Sequence, residues 1–324
     1  MGGGESRQKN RLGRGITMYD IIGDIHGHAT PLKELLTKLG YCKQNGVWKH
    51  PTRKAIFVGD FIDRGPSIRE VLHIVKDMVD NNSALAVMGN HEFNAITYSF
   101  ELTDGQYLRP HNAKNDHQHK KTLEQFMNHS DEWDAWIGWF YQLPLFLELD
   151  GLRVVHACWD DSNIDWLRRG YNGKISDSLL LEAHDKGTRA YNVIEETLKG
   201  KEIKIPDEYA WRDKDGHLRN ANRVKWWVDS PKATYGDVLF NCPESLANEP
   251  FPSSHNLVSY HPEAPPVFFG HYWLEGRRPF VQTGNILCLD YSIAKGGNLV
   301  AYRWSGESQL SESNFIVINS QPSK

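Results

Sequence analysis

The segment from Gly59 to Pro66 places two carboxylates and a guanidinium in a single turn. It reads Gly-Asp-Phe-Ile-Asp-Arg-Gly-Pro, so Asp60 and Asp63 supply the carboxylates and Arg64 the guanidinium. Carboxylate oxygens bind hard divalent cations, and a planar guanidinium matches the oxygens of a phosphate group. The composition of this turn therefore indicates a site for metal and phosphate.

The flanking residues predict that this turn lies between a strand and a helix. Residues 55–58 form a short apolar, β-prone run, which indicates a buried parallel strand. Residues 67–79 carry apolar side chains at the i, i+3, i+4, i+7 spacing of a helix, and Ser67 with Glu70 predicts a capping box at its start. In open α/β sheets, ligands bind at this position, beyond the carboxyl end of a strand.

Polar residues of the same kind follow four other apolar runs. They are Asp24 and His26 after the strand at 19–22, Asn90 and His91 after the strand at 84–88, His156 at the end of the hairpin 145–156, and His271 after the run 266–269. Since parallel strands of one sheet end at the same edge, we expect these residues to converge with the turn at 59–66. Each alone has an ordinary structural explanation, but five such sites in order indicate a metal centre. Mixed Asp, His and Asn ligands suit Mn, Fe, Zn or Mg, and one shared carboxylate suits a two-metal site.

Alternating strands and helices over residues 18–100 predict one half of a layered α/β protein. Its first helix is expected over residues 30–39, with Thr30 as N-cap and Gly40 as the stop. Beyond residue 266 the pattern is again that of strands. These later strands are expected at 266–269, 280–282, 286–290, 298–304 and 315–319.

The remaining segments have weaker patterns. The tryptophan-rich stretch at 103–141 predicts an inserted helical cap, and residues 160–200 are expected to be helical. The proline-rich stretch at 201–262 gives a poor secondary-structure signal. We expect residues 1–17 to be a disordered tail or a cloning remnant, and residues 18–324 to form a single domain.

Composition excludes several classes of function. The net charge of -4, from 37 basic and 41 acidic residues, gives no electrostatic case for general nucleic-acid binding. No apolar run approaches the roughly 20 residues that span a bilayer. The four cysteines form no Cys-x-x-Cys pair, so neither a disulfide framework nor a zinc ribbon is expected. These features favour a cytoplasmic protein that does not bind membranes.

Three motifs resemble the signature of the calcineurin-like metallophosphoesterases: Gly-Asp-x-His-Gly at 23–27, Gly-Asp-x-x-Asp-Arg-Gly at 59–65 and Gly-Asn-His-Glu at 89–92. Their form is most similar to the branch that contains serine/threonine phosphoprotein phosphatases and bacterial bis(5'-nucleosyl)-tetraphosphatases. The resemblance implies an α/β fold with a layered β-sandwich core flanked by helices. It does not cover the inserted cap at 103–141 or the stretch 160–262.

The resemblance also implies roles for individual residues. The ligands of two divalent metal ions would be Asp24, His26, Asp60, Asn90, His156 and His271, with Asp60 bridging both ions. The ions are expected to be Mn, with Fe, Zn or Mg as alternatives. A bridging hydroxide would attack phosphorus directly, without a phosphoenzyme. His91 matches the proton donor, Asp63 the group that orients it, and Arg64 the phosphate clamp.

The substrate is left open by the sequence. Arg212, Arg219 and Arg223 are candidates for further contacts to the substrate phosphate, and a plain surface charge is the alternative for each. The expected reaction is hydrolysis of a phosphate ester, with a phosphoprotein as substrate or, alternatively, a dinucleoside tetraphosphate or a nucleotide-capped end. A scaffold that has lost catalysis is disfavoured because all the expected ligands are present.

Overall fold

A computed structural model of the chain describes residues 17–212, 218–228, 232–252, 257–276 and 278–319, and for Arg212 it describes the backbone only. Apart from Thr17, the expected tail at 1–17 lies outside the described residues. The helices are α1 (Ala29–Leu39), α2 (Ile68–Asp80), α3 (Asn90–Ser99), α4 (Ala113–Phe126), α5 (Ser130–Phe140), α6 (Asp161–Tyr171), α7 (Asp177–His184), α8 (Arg189–Lys199) and α9 (Tyr235–Val238).

The strands are mostly short. They are β1 (Met18–Ile22), β2 (Cys42–Gln44), β3 (Val47–Lys49), β4 (Arg53–Phe57), β5 (Ala84–Ala86), β6 (Phe146–Leu149), β7 (Leu152–Val155), β8 (Glu202–Lys204), β9 (Trp211–Arg212), β10 (Leu218–Arg219), β11 (Ala221–Arg223), β12 (Val267–Phe269), β13 (Ile286–Cys288), β14 (Asp290–Tyr291), β15 (Asn298–Trp304) and β16 (Phe315–Asn319). Among the described residues, no helix combines the length and the apolar character that a membrane crossing requires.

Two sheets form the centre of the molecule. The first has the order β14-β15-β1-β4-β5, and β16 also pairs with β15. Within it, β1, β4 and β5 are parallel, while β15 is antiparallel to β1. The second sheet has the order β13-β12-β7-β6. There β7, β12 and β13 are parallel, and β6 and β7 form the predicted hairpin.

The two sheets pack face to face around a buried apolar layer. Ile21 and Ile56, on neighbouring strands of the first sheet, belong to the same core cluster as the strand residues of the second sheet. Across the interface, the rings of Phe268 and Tyr302 lie 5.4 Å apart. The alternate residues Ile22 and Phe57 belong to a second cluster that includes α1 and α2. Because both faces of the first sheet are buried, its strands are mostly apolar, and the buried charges of Asp20 and Arg53 are paired at 2.8 Å. The layered α/β sandwich expected from the sequence is confirmed.

The segment at 103–141 contains α4 and α5, which lie against α2 and α3. Gln125 of α4 accepts a hydrogen bond from the Ile68 backbone N–H at 2.7 Å, at the start of α2. Glu132 of α5 pairs with Arg69 at 2.6 Å. Trp139 packs 6.1 Å from the ring of Phe61, in the turn after β4. The inserted helices thus contact the metal-and-phosphate turn itself.

The described residues between 201 and 262 pack against the outer face of the second sheet. Their short strands pair with one another, β8 with β11 and β9 with β10. Trp226 packs 5.1 Å from the ring of Phe269 in β12 and donates its indole N–H to the Ala157 carbonyl at 2.9 Å. The tryptophans of this segment therefore attach it to the sheet.

Several local predictions are wrong. α1 begins at Ala29, so Thr30 is not its N-cap, although Gly40 ends the helix in a left-handed conformation as expected. Ser67 precedes α2 without a side-chain cap, and Glu70 instead accepts a hydrogen bond from Lys33 at 2.7 Å. Residues 280–282 are not a strand.

Candidate active site

The polar residues that follow the strands converge where the two sheets meet. Asp60 lies at the centre, after β4 of the first sheet. Its Oδ2 is 3.5 Å from Nε2 of His26, which follows β1. Its Oδ1 is 3.4 Å from Nε2 of His156, which follows β7 of the second sheet. The site is thus built from both sheets, whereas the strand-end argument expected a single one.

Asn90 contacts two histidines on the other side of the site. Its Oδ1 lies 3.0 Å from Nε2 of His156 and 2.7 Å from Nδ1 of His271. Asp24 is tied to the same group, because its Oδ2 accepts the His271 backbone N–H at 3.0 Å. The structure therefore brings together all six residues that the sequence proposed as metal ligands, and each is buried.

The hydrogen bonds of two histidines indicate that these residues fit a metal ion. His156 lies with Nδ1 2.7 Å from the Val58 carbonyl, and His26 with Nδ1 3.0 Å from the Ile62 carbonyl. A carbonyl accepts only, so in both rings Nδ1 carries the proton. In the neutral ring, the opposite Nε2 presents a lone pair to an Asp60 oxygen, which is also an acceptor. A cation between the two satisfies both, and such backbone hydrogen bonds are the usual support of metal-binding histidines.

Buried polar atoms without hydrogen-bond partners also indicate that the site fits a cation. Among the described residues, Asp24 Oδ1, Asp60 Oδ2, His26 Nε2 and His271 Nε2 are buried without a hydrogen-bond partner. Burial, together with the charges of Asp290 and Asp60, raises the pKa of Asp24 well above its usual range. Candidate ligand atoms of Asp60, His156 and His271 lie within 4.8 Å of one another, as do those of His26, Asp60 and His91. An excess of buried negative charge around nitrogen lone pairs suits divalent cations.

The turns that carry these residues have unusual backbone conformations. Positive φ angles occur at His26 (45°), Asp60 (55°), Asp63 (65°), Arg64 (65°) and His271 (67°). Non-glycine residues seldom adopt this left-handed region, and its cost is sustained only where surrounding contacts fix the chain. Strain is therefore concentrated in the loops that hold the site.

Glu92 makes some of the contacts that hold these loops in place. This fully buried carboxylate accepts the backbone N–H groups of Asp60 at 2.9 Å, Phe61 at 2.8 Å and Gly89 at 3.0 Å. It thereby joins the turn after β4 to the start of α3. The two chains approach so closely that a Cβ on Gly89 would lie 2.2 Å from Asp60 Oδ1. Only glycine fits at that position.

His91 is held by Asp63 on one side and faces Asp60 on the other. Its Nδ1 lies 2.5 Å from Asp63 Oδ2, and its Nε2 lies 4.0 Å from Asp60 Oδ2. Burial disfavours the charged ring, but the carboxylates of Asp60 and Asp63 outweigh it and raise the pKa of His91 to about 9. Despite burial, the hydrogen bonds from His119 and His91 hold the pKa of Asp63 well below its usual range. In this arrangement a protonated His91 beside an ionised Asp63 is stable at neutral pH.

Asp63 is anchored from the inserted segment. Its Oδ1 accepts the Thr122 hydroxyl at 2.5 Å and lies 2.8 Å from Nδ1 of His119. Both partners belong to α4 and are buried. Every carboxylate oxygen of Asp63 therefore has a protein partner, and the orientation of this side chain is fixed.

A cavity of about 400 Å³ opens in front of these residues. Within the described ranges, the basic side chains that line it are Arg64, Arg109, Lys199 and Arg223. Arg223 has its Nε buried without a partner, and its positive charge is one cause, after burial, of the lowered pKa of His271. Arg109 is braced by Asn94 at 3.2 Å and Gln118 at 2.7 Å. The charge of the cavity suits an anionic substrate.

The three arginines suggested by the sequence are placed differently. Arg223 lines the cavity beside the ligands. Arg219 lines a neighbouring cavity instead. The side chain of Arg212 lies outside the described residues.

Comparison with known proteins identifies the family. Residues 19–272 match the family model described as calcineurin-like phosphoesterase. The chain belongs to this family. The resemblance expected from its motifs is confirmed.

Several curated relatives of this phosphoesterase are tetraphosphatases. The chain is 32% identical over 139 residues to the asymmetrical bis(5'-nucleosyl)-tetraphosphatase PrpE of Oceanobacillus iheyensis, covering 43% of this chain and 54% of the relative. It is 26% identical over 301 residues to the symmetrical bis(5'-nucleosyl)-tetraphosphatase of a Marinomonas species, covering 90% of this chain and 95% of the relative. The chain spans about half the length, or less, of the first curated relatives that it matches. A serine/threonine phosphatase from Saccharomyces cerevisiae superposes with a TM-score of 0.47 at 15% identity, over 95% of this chain and 81% of that one.

Sequence reasoning missed four residues of this phosphoesterase site. Glu92 was visible as the last residue of Gly-Asn-His-Glu, but its contacts to backbone N–H groups could not be read from the motif. His119 and Thr122 are three positions apart and so share one helix face. Nothing local indicates that this face meets Asp63. Arg109 lies in a segment whose pattern suggested only packing.

Proposed function

We propose that this phosphoesterase hydrolyses phosphoanhydride bonds in dinucleoside polyphosphates. The observation that carries the proposal is the cavity in front of the candidate metal ligands, which is lined by Arg64, Arg109, Lys199 and Arg223. A single phosphate group carries about two negative charges and is matched by one or two such side chains. Lys199 is paired with Glu195, but the guanidinium groups of Arg64, Arg109 and Arg223 remain, and three such groups suit a chain of phosphates better. The names of the tetraphosphatase relatives support the same substrate class.

The proposal assigns the metal ligands as the sequence suggested them: Asp24, His26, Asp60, Asn90, His156 and His271. When bound, two divalent ions at such a site lower the pKa of a water molecule and neutralise the oxygens of the phosphoryl group under attack. The oxygen and nitrogen ligand set suits Mn, and we include manganese in the proposal. A cytoplasmic location, based on the cysteine content, is likewise part of it.

The protein's own side chains supply the remaining steps. Arg64 and Arg223 bind the phosphate oxygens on the cavity side, where their guanidinium groups pair with developing negative charge. His91 donates a proton to the leaving oxygen, which matters most when that oxygen would leave as an alkoxide and less when it belongs to a phosphate. Asp63 keeps the ring of His91 in the orientation and protonation state that this transfer needs, since the two lie 2.5 Å apart.

A phosphoprotein is the second candidate substrate, favoured by the Gly-Asn-His-Glu motif of the protein phosphatase branch. Glu92, which carries that similarity, is fully buried and holds the loops together. It does not line the cavity. Glu92 therefore gives no information about which substrate enters.

A turnover screen with Mn tests the choice of substrate. Diadenosine tetraphosphate, a phosphopeptide and p-nitrophenyl phosphate are compared at equal concentration, with nucleotide products separated by chromatography. We expect kcat/KM to be highest for diadenosine tetraphosphate. Preferential release of phosphate from the phosphopeptide would replace the proposal with the phosphoprotein alternative. Absence of turnover on all three substrates would reject both.

A further inference from the structure

A second cavity of about 800 Å³ adjoins the first. Arg223 and Trp273 line both cavities and so form the wall between them. Any chain of phosphates that starts at the metal ligands and extends past this wall enters the second cavity. Its size is within the range of cavities that bind small organic molecules and exceeds what a phosphate group needs.

Trp273 is fixed in this wall. Its backbone has a positive φ of 48°, and its backbone N–H donates to the buried Asp290 carboxylate at 2.7 Å. The Lys295 ammonium lies 3.9 Å from the centre of the ring, on the side of the second cavity. The Arg64 guanidinium lies 5.9 Å from it, on the side of the first. Positive charge therefore continues from one cavity to the other.

The second cavity also has apolar and acidic lining residues. They are Trp211, Leu218 and Phe240, together with the carboxylates of Glu202 and Glu275. Leu218 is 60% exposed and so is accessible to a ligand in this cavity. Apolar and aromatic surfaces bind the faces of nucleobases, and carboxylates accept hydrogen bonds from ribose hydroxyls and base amino groups.

We propose that the second cavity binds a nucleoside that is joined through its phosphates to the group at the metal ligands. The phosphate chain passes Arg223 and Trp273, and the base lies against Trp211 and Leu218. This inference rests on the proposed function, because it places one nucleoside of the dinucleoside polyphosphate in the neighbouring cavity. It makes the substrate a nucleotide and not merely a polyphosphate.

The test compares ADP with inorganic pyrophosphate, which carries the same diphosphate without the nucleoside. Each is measured as an inhibitor of p-nitrophenyl phosphate hydrolysis and, by calorimetry, as a ligand of the protein. We expect ADP to bind at least about tenfold more tightly than pyrophosphate, as base stacking would provide. Leu218→Ser and Trp211→Ala should reduce this preference about fivefold and leave the affinity for pyrophosphate unchanged.

Phe280→Ser is the matched control, since Phe280 is also a large exposed apolar residue, at 45%, but lies outside this cavity. It should keep the full preference for ADP. Equal binding of ADP and pyrophosphate by the wild type would overturn the inference, and so would a preference that survives in both cavity variants. The result is separable from the proposed function. If the protein prefers ADP but does not cleave diadenosine tetraphosphate, the nucleoside site stands and the proposed substrate is wrong. If it cleaves diadenosine tetraphosphate but binds ADP and pyrophosphate equally, the proposed substrate stands and the nucleoside site is wrong.

Discussion

Thr122 holds Asp63 at two atoms. The threonine hydroxyl donates to Asp63 Oδ1 at 2.5 Å and accepts the Asp63 backbone N–H at 3.1 Å. Thr122 is fully buried in α4, more than fifty residues along the chain from the turn it supports. Through this contact the inserted helices determine the geometry of the pair formed by Asp63 and His91.

We expect Thr122→Val to slow proton donation. The variant keeps a similar shape but removes both hydrogen bonds, so His119 remains as the anchor from α4 and Asp63 is held less firmly. A hydrogen bond to a charged group contributes about 1.5–3 kcal/mol, and we expect kcat for phenyl phosphate to fall about tenfold. The activated ester p-nitrophenyl phosphate needs little protonation and should be affected much less. The ratio of the two kcat values is the measurement.

Thr122→Ser is the control, because it retains the hydroxyl. It should restore the wild-type ratio of the two kcat values. A loss of equal size on both esters in Thr122→Val would mean that Thr122 supports the fold only. Urea unfolding of all three proteins shows whether stability has changed as well.

The pKa of His91 predicts an alkaline limit to activity. The ring donates a proton only in its charged form, which is present below its pKa and lost above it. The carboxylates raise that pKa to about 9 against burial, and divalent ions beside Asp60 would offset part of the rise. Turnover of phenyl phosphate should therefore decline with an inflection at or below about pH 9. Asp63→Asn removes one of the raising charges and should shift the inflection to lower pH.

The pH–rate profiles of wild type, Asp63→Asn and His91→Asn check this assignment. His91→Asn should lack the alkaline inflection and turn over phenyl phosphate much more slowly at every pH. An inflection at the same pH in all three proteins would show that another group titrates. His91 would then not be the proton donor.

Much of the site could be predicted because its ligands follow strands. Asp24, Asp60 and Asn90 come directly after short apolar runs, and a strand end fixes the position of the next few residues. The assignment of sheets could not be predicted in this way. β1 pairs with β15, nearly the whole chain away, so the partner of a strand is determined by packing between distant residues. In the same way, no local pattern shows that the strands preceding His156 and His271 form a second sheet.

Local signals also failed where tertiary contacts compete with them. Thr30 is a better N-cap by propensity than His28, yet α1 starts after His28. The reason lies in the preceding residue, because Gly27 donates its N–H to the Phe61 carbonyl at 2.8 Å and so fixes where the chain can enter the helix. Contact with the turn at 59–66 thus outweighs the capping preference. The same limit applies to His119 and Thr122, whose partner lies outside their own helix.

Asp60→Asn should abolish turnover and lower the metal content. Asp60 is the carboxylate placed between His26 and His156, so its loss removes charge from both proposed ions at once. Metal per chain is measured by elemental analysis after loading with Mn and removal of the excess, and turnover is measured on p-nitrophenyl phosphate. Asp165→Asn is the control, since Asp165 is a surface residue that pairs with Arg168. A variant at Asp60 with full metal content and full turnover would refute the bridging role.

Arg223→Met should weaken the binding of every phosphate substrate. Methionine keeps an unbranched apolar side chain but removes the guanidinium, which lies 5.5 Å from the centre of the Tyr272 ring. Since a hydrogen bond between charged groups contributes about 1.5–3 kcal/mol, we expect kcat/KM for p-nitrophenyl phosphate to fall at least about tenfold. Arg169→Met, at a side chain that is 83% exposed and outside the cavity, should leave kcat/KM unchanged. If Arg223→Met matches this control, Arg223 does not contact the phosphate, and its unpartnered Nε requires another explanation.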